Sequence, residues 1–247
     1  MTTDSTAAAI DHDRSTLLTR LGGGAALLAA GTFVYGIVYF ATTMADYTDP
    51  DATPAEAVDF LVEHQGALLA WYLGIFVVFG AAVVPLTLAL RARFVDRTPI
   101  LANIGAVFGV IWTGLMFATG MISNIGIEAV AELADSDREA AIALWSSIDV
   151  VTDGLGGGNE LVGGAWILLV SLAGLIAGRL PRWLHLVGLA TAVAGVVTVV
   201  PAFEAAEMVF GLGSIVWFVG MGVALLRAGR IERSAEPHTA QHIELPS

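Results

Sequence analysis

The chain has 247 residues, 56% hydrophobic and only 14% charged, with a mean hydropathy of +0.77. Soluble domains carry about 25% charged residues, so this composition is that of a membrane protein. Its net charge is −12, its eleven bases are all arginine, and it has no lysine and no cysteine, which excludes a Schiff-base lysine, thiol nucleophiles, disulfides and cysteine-ligated metals.

Residues 1–20 read as a short cytoplasmic tail. Residues 21–227 then hold six apolar runs, each near the roughly 20 residues that a transmembrane helix needs. They are Leu21–Ala41, Gly66–Leu90, Ile100–Ser123, Gly158–Ala177, Trp183–Val200 and Met208–Leu226. The first is too long for a signal peptide, whose apolar core spans roughly 7–15 residues. Its flank also carries Asp4, Asp11 and Asp13, so it reads as a retained span. Residues 228–247 read as a disordered cytoplasmic tail, polar and without periodicity.

Arginine placement sets the orientation. Arg14 and Arg20 precede the first run, and Arg91, Arg93 and Arg97 separate the second from the third. Arg179 and Arg182 separate the fourth from the fifth, and Arg227, Arg230 and Arg233 follow the sixth. Ten of eleven arginines therefore share one side, and only Arg138 lies opposite. The arginine-rich side is cytoplasmic, and an even number of spans returns both termini to it. Acids sort the other way. Asp46, Asp49, Asp51, Glu56, Asp59 and Glu63 fall in the first outer loop, and Glu128 to Glu160 hold eight more in or beside the second. Such an outer face is strongly negative. With the absence of lysine, it points to a host adapted to high salt.

Two outer segments carry helix signals. Thr53-Pro54-Ala55-Glu56 is a capping box with proline at the first helical position. Ser136-Asp137-Arg138-Glu139 reads as a second box, followed by Ala141, Trp145 and Ile148 at helical spacing. Glu128, Glu132 and Asp135 form a stripe that would carry the third span beyond the bilayer. The expected fold is an all-α bundle of six transmembrane helices with both termini cytoplasmic, capped outside by short amphipathic helices.

The stretch GLGGGNELVGGAW (154–166) resembles a phosphate loop only superficially. No strand precedes it, Asn159 stands where a third glycine is required, and no lysine is present. Asn159 reads as the N-cap of the fourth span, with Glu160 at its positive dipole end. Gly163 and Gly164 would let a neighbouring helix approach closely. The uninterrupted apolar run from Leu161 to Ala177 is short. It would draw Asn159 and Glu160 toward the bilayer, where a carboxylate marks a functional site. Glu204 and Glu207, one helical turn apart before the sixth span, would join them. Asn159, Glu160, Glu204 and Glu207 thus form a candidate site for Na⁺, Ca²⁺ or a small cationic solute; the alternative is a helix cap beside a solvated acidic turn. No catalytic residue, metal-ligand set or cofactor motif is evident.

The remaining side chains read more plainly. His64 and His185 fall near span ends and read as interfacial, as do Tyr35, Tyr39, Tyr47, Trp71, Tyr72 and Trp183. Trp112 and Trp217 lie deeper and read as packing residues. Gly105 with Gly109, and Gly174 with Gly178, are small-residue pairs that would bring helices close and could serve a homo-oligomer. Asn103, Thr113, Asn124, Thr191 and Thr198 are candidates for hydrogen bonds between helices.

Gly157-Gly158-Asn159-Glu160, Leu180-Pro181-Arg182-Trp183-Leu184, Pro201 and the run FGLGSIVWF (210–218) together resemble a family of prokaryotic polytopic membrane proteins, six-helix domains of unknown function. The likeness covers residues 156–227. It implies the six-helix fold and carries no activity. The expected function is a multi-pass cell-membrane protein, either transporter- or channel-like with an acidic outer vestibule, or structural or sensory through helix-mediated partner binding. Its partners would be the bilayer, a cation or a second copy, and not nucleic acid.

Overall fold

The computed structural model describes residues 2–43, 53–155, 160–203 and 205–234. Asp46, Tyr47, Asp49, Asp51, Asn159, Glu204 and the tail beyond Ser234 lie outside the described residues. The backbone is helical almost throughout, with no strand among the described residues.

Six helices form the frame: α1 Thr2–Thr43, α3 Gln65–Phe94, α4 Pro99–Ala134, α6 Glu160–Ala177, α7 Arg182–Val197 and α8 Ala206–Ser234. Two more, α2 Pro54–Glu63 and α5 Arg138–Gly154, cover one end. The frame is a closed ring in which α1 packs on α3, α3 on α4, α4 on α6, α6 on α7, α7 on α8, and α8 back on α1. The first and last helices share the most extensive contact. Apolar surface gains nothing by moving from lipid to protein, so such a bundle is held by close packing. The contact between α1 and α8 shows how. A Cβ on Gly23 would lie 3.1 Å from the Gly222 carbonyl oxygen, and one on Gly222 only 2.9 Å from that of Gly23.

Five helices are long and apolar enough to cross a membrane, with described spans Asp13–Thr43, Gln65–Phe94, Pro99–Ala134, Glu160–Ala177 and Ala206–Ile231. By the length and composition of these helices the chain is a multi-pass membrane protein. The expected fifth run forms a shorter apolar helix, α7, of 16 residues. It ends at Val197 rather than Val200, because Pro201 disfavours helical backbone in the residue before it and cannot itself donate to the helix. Thr198 turns its hydroxyl onto the Gly195 carbonyl (2.8 Å), and a 3₁₀ turn over Pro201–Phe203 leads to α8. Two other helices exceed expectation: α1 is helical from Thr2 rather than Leu21, and α8 persists to Ser234. Helix α6 ends where Gly178 takes a φ of 65° and donates to the Gly174 carbonyl (3.0 Å). Only glycine adopts that backbone cheaply.

The far end of α4 explains the cap. Its 36 residues reach about 54 Å at 1.5 Å each, well beyond a bilayer core of roughly 30 Å. The overhang carries Ile127 and Val130 into a second apolar core with Val58 and Leu61 of α2, Leu68 of α3, and Ala141 and Trp145 of α5. Thr53 and Glu56 complete the expected capping box of α2. The box expected at Ser136 forms differently. Asp137 is the cap, its carboxylate accepting from the Ala140 amide (3.0 Å), while the Ser136 hydroxyl is spent on the Leu133 carbonyl at the end of α4 (3.3 Å). Arg138 then ties the two cap helices by donating to Asp59 (2.6 Å). At the opposite, arginine-rich end, Arg91 of α3 donates to Asn103 of α4 (2.9 Å), one of the expected hydrogen bonds between helices.

Candidate functional site

The centre of the ring is filled by aromatic rings. Phe33 of α1, Phe79 of α3, Trp112 of α4, Trp166 of α6, and Trp217 and Phe218 of α8 form a continuous cluster with centroids 4.9–6.3 Å apart. Trp112 and Trp217 are thus packing residues, as their depth suggested. They are also donors. The indole N–H groups of Trp112, Trp166 and Trp217 are buried with no hydrogen-bond partner. Such a group costs about 1–3 kcal/mol unless something accepts from it.

Other polar groups share that condition and gather along the seam between α6, α7 and α8. Both ring nitrogens of His185 and the hydroxyls of Ser171 and Ser214 are buried without partners. Glycines bring them together. The His185 ring occupies the space above Gly174, where a Cβ would overlap it. One turn deeper, a Cβ on Gly188 would overlap the Ser171 hydroxyl and lie 2.5 Å from the Trp217 indole nitrogen. The next turn sets the Thr191 hydroxyl against Gly213, beside Ser214. Ser171 and His185 are not hydrogen-bonded to each other.

The seam runs out at the cap end between Glu160 and Glu207. Glu160 is the first residue of α6 and is half-buried. Its carbonyl oxygen would lie 2.7 Å from a Cβ on Gly195, and the Phe210 ring closes the same notch at 2.6 Å. Glu207 lies one turn before Phe210, exposed, and within electrostatic reach of Glu160. Two of the four candidate site residues therefore lie within electrostatic reach of each other, while Asn159 and Glu204 lie outside the described residues. Gly164 makes the close approach expected of it: its Cβ would lie 2.9 Å from the Ala192 carbonyl oxygen and 3.0 Å from the Val196 amide.

His185 corrects the interfacial reading. It is wholly buried, edge-on to Phe94 at 5.9 Å and seated over Gly174 of α6. A signal for this was present. His185, Gly188, Thr191 and Gly195 recur at three, three and four residues, a small and polar face that points at a neighbouring helix. Of the small-residue pairs, Gly105, Gly109 and Gly174 pack inside the chain, while Gly178 has open space around it. Gly105 packs on Leu169 and Val170, and Gly109 on Thr87 and Trp166. Among the described residues, no group of three or more histidine, cysteine, aspartate or glutamate side chains could hold a metal ion.

No protein-family model, curated protein or solved structure matches the chain.

Proposed function

We propose that the chain crosses the cell membrane six times with both termini cytoplasmic, and that it conducts or transports a small cation from an acidic extracellular face. The sixth crossing is α7, lodged in the ring between α6 and α8. Its 16 residues span about 24 Å, which the turn to Pro201 extends toward the thickness of a bilayer core. Its neighbours' arginines then all fall on the cytoplasmic side, and the cap formed by α2 and α5 lies outside. The acidic, lysine-free composition fits a host adapted to high salt, and the likeness of residues 156–227 to six-helix prokaryotic membrane domains fits the same topology.

The observation that carries the functional reading is the polar seam. Partnerless polar groups, those of Ser214, Trp217, Ser171 and His185, follow one another along the contact of α6, α7 and α8, below the corner where Glu160 and Glu207 lie. Polar groups at membrane depth are costly and mark ion and proton paths. Glu160, Glu207 and the neighbouring Asn159 and Glu204 would be the first contacts of an incoming cation. The test is flux of protons and Na⁺ into liposomes containing the full chain. Wild type should conduct, and Glu160→Gln should lose most of the flux. No flux above protein-free liposomes, or equal flux in the variant, would overturn the proposal.

A second reading, partner binding through helix faces, has one observation in its favour. Gly24 and Gly31 of α1 are exposed, one heptad apart, with nothing within 4 Å of a Cβ at either, and Leu28 between them is 50% exposed. The chain has no cysteine, so Leu28→Cys offers a clean crosslinking probe. A crosslinked dimer in membranes supports this reading, and its absence at full labelling removes it.

A further inference from the structure

At the arginine-rich end, a groove of about 540 Å³ opens between the end of α3, the turn from α6 to α7, and the last turns of α8. Arg93, Arg179 and Arg227 supply its charge, one from each element, and none of its lining residues is acidic. Leu180, Pro181, Trp183, Val223, Ala224 and Ile231 supply its walls. The Trp183 ring stands over Gly220, 3.0 Å from where a Cβ would be, and forms one side of the groove. Trp183 is 53% exposed and Ile231 69% exposed, both on helices that continue into the apolar bundle. The groove is thus basic at its mouth and apolar along its flank.

We propose that this groove binds the phosphate headgroup of an anionic phospholipid, with an acyl chain lying along Trp183, Val223 and Ile231. Two features select a lipid over free phosphate. The apolar flank would have nothing to cover if only an inorganic anion bound. The groove also sits at a span end, where tryptophan rings and arginines meet headgroups and basic pockets between helices take up anionic lipid. The assignment rests on the chain lying in a bilayer, but not on which side is cytoplasmic or on whether the seam conducts.

The experiment is native mass spectrometry of the full chain released from detergent, with phosphatidylglycerol or phosphatidylcholine added, alongside flotation with vesicles of each lipid. One phosphatidylglycerol should remain bound where phosphatidylcholine does not. Arg179→Gln with Arg227→Gln should weaken retention by roughly fivefold for each guanidinium removed. Arg97→Gln, exposed at the same end but outside the groove, should leave it unchanged. Equal retention of both lipids, or an unaffected double variant, overturns the proposal, as does displacement of the lipid by millimolar inorganic phosphate. Failure of the membrane reading looks different, because the chain would then float with neither vesicle.

Discussion

The His185 imidazole lies directly over Gly174, so closely that a methyl group on that glycine would overlap the ring. The two residues belong to different helices, α7 and α6, and each is wholly or nearly buried. Adding a Cβ at Gly174 forces the ring from its place in a region packed on all sides. Gly174→Ala is expected to destabilise the protein by about 1–3 kcal/mol, the usual cost of overpacking. Combining it with His185→Ala should recover part of that loss, a coupling of roughly 0.5–3 kcal/mol for residues in contact. Thermal unfolding of the four proteins in detergent measures it, and additive effects would show that the two side chains do not meet.

Gly164 and Gly114 make a contrasting pair. A Cβ on Gly164 meets backbone atoms of Ala192 and Val196 at 2.9 and 3.0 Å, and backbone cannot rotate away. Gly164→Ala should push α6 off α7, at the upper end of the roughly 1–3 kcal/mol overpacking range. Gly114 is exposed on α4 with nothing within 4 Å. Gly114→Ala should instead stabilise by roughly 0.5–1 kcal/mol, because alanine loses less backbone freedom in a helix. Unfolding midpoints that moved in the same direction for both would contradict the packing described.

Much of this architecture was legible because it depends on local or bulk properties. Apolar length placed the helices, the Thr53 box started α2, and the Glu128–Glu132–Asp135 stripe announced the overhang of α4. What was not legible depends on which distant segments meet. That α1 closes the ring on α8 follows from Gly23 finding Gly222, some 200 residues away, and no single-sequence periodicity encodes that pairing. His185 was read as interfacial for the same reason: its burial comes from Gly174 of α6, which leaves room for the ring. At the candidate site, the chain itself placed Glu160 and Glu207 at span ends. That Thr191, Ser171 and His185 line up on the contact of α6, α7 and α8 needed the helix crossings.

Ser171 separates stability from function. Its hydroxyl is buried beside the Trp217 indole, and neither has a partner. Ser171→Ala removes the unsatisfied group, nearly preserves volume and favours the helix, so the variant should be more stable by about 1 kcal/mol. If the seam carries a cation or proton, the same change should lower flux. More stability with less flux is the expected combination in paired unfolding and liposome measurements. A variant that lost stability would mean that the hydroxyl is satisfied in the native protein.

The cap should respond to acid separately from the bundle. Hydrogen bonds from the Thr53 amide (2.7 Å) and hydroxyl (2.8 Å) hold the Glu56 carboxyl below its ordinary range. The hydrogen bond from Arg138 does the same for Asp59. A carboxylate lowered on folding stabilises the folded state at pH values above its unfolded pKa, and that contribution is lost as pH falls through the lowered folded value. Asp149 of α5 is shifted up instead, by partial burial and then by Asp153. Its protonation favours the folded state, so it opposes the acid loosening without cancelling two groups. Amide exchange in α2, corrected for its intrinsic pH dependence, should therefore be slow at neutral pH and faster at about pH 3, below the ordinary carboxylate range. Asp59→Asn should speed it at neutral pH and shrink the acid step. The effect should be small and weaken in high salt, because the Asp59 and Arg138 side chains are 56% and 53% exposed. Unchanged α2 exchange in Asp59→Asn would mean that the apolar core around Trp145 holds the cap by itself.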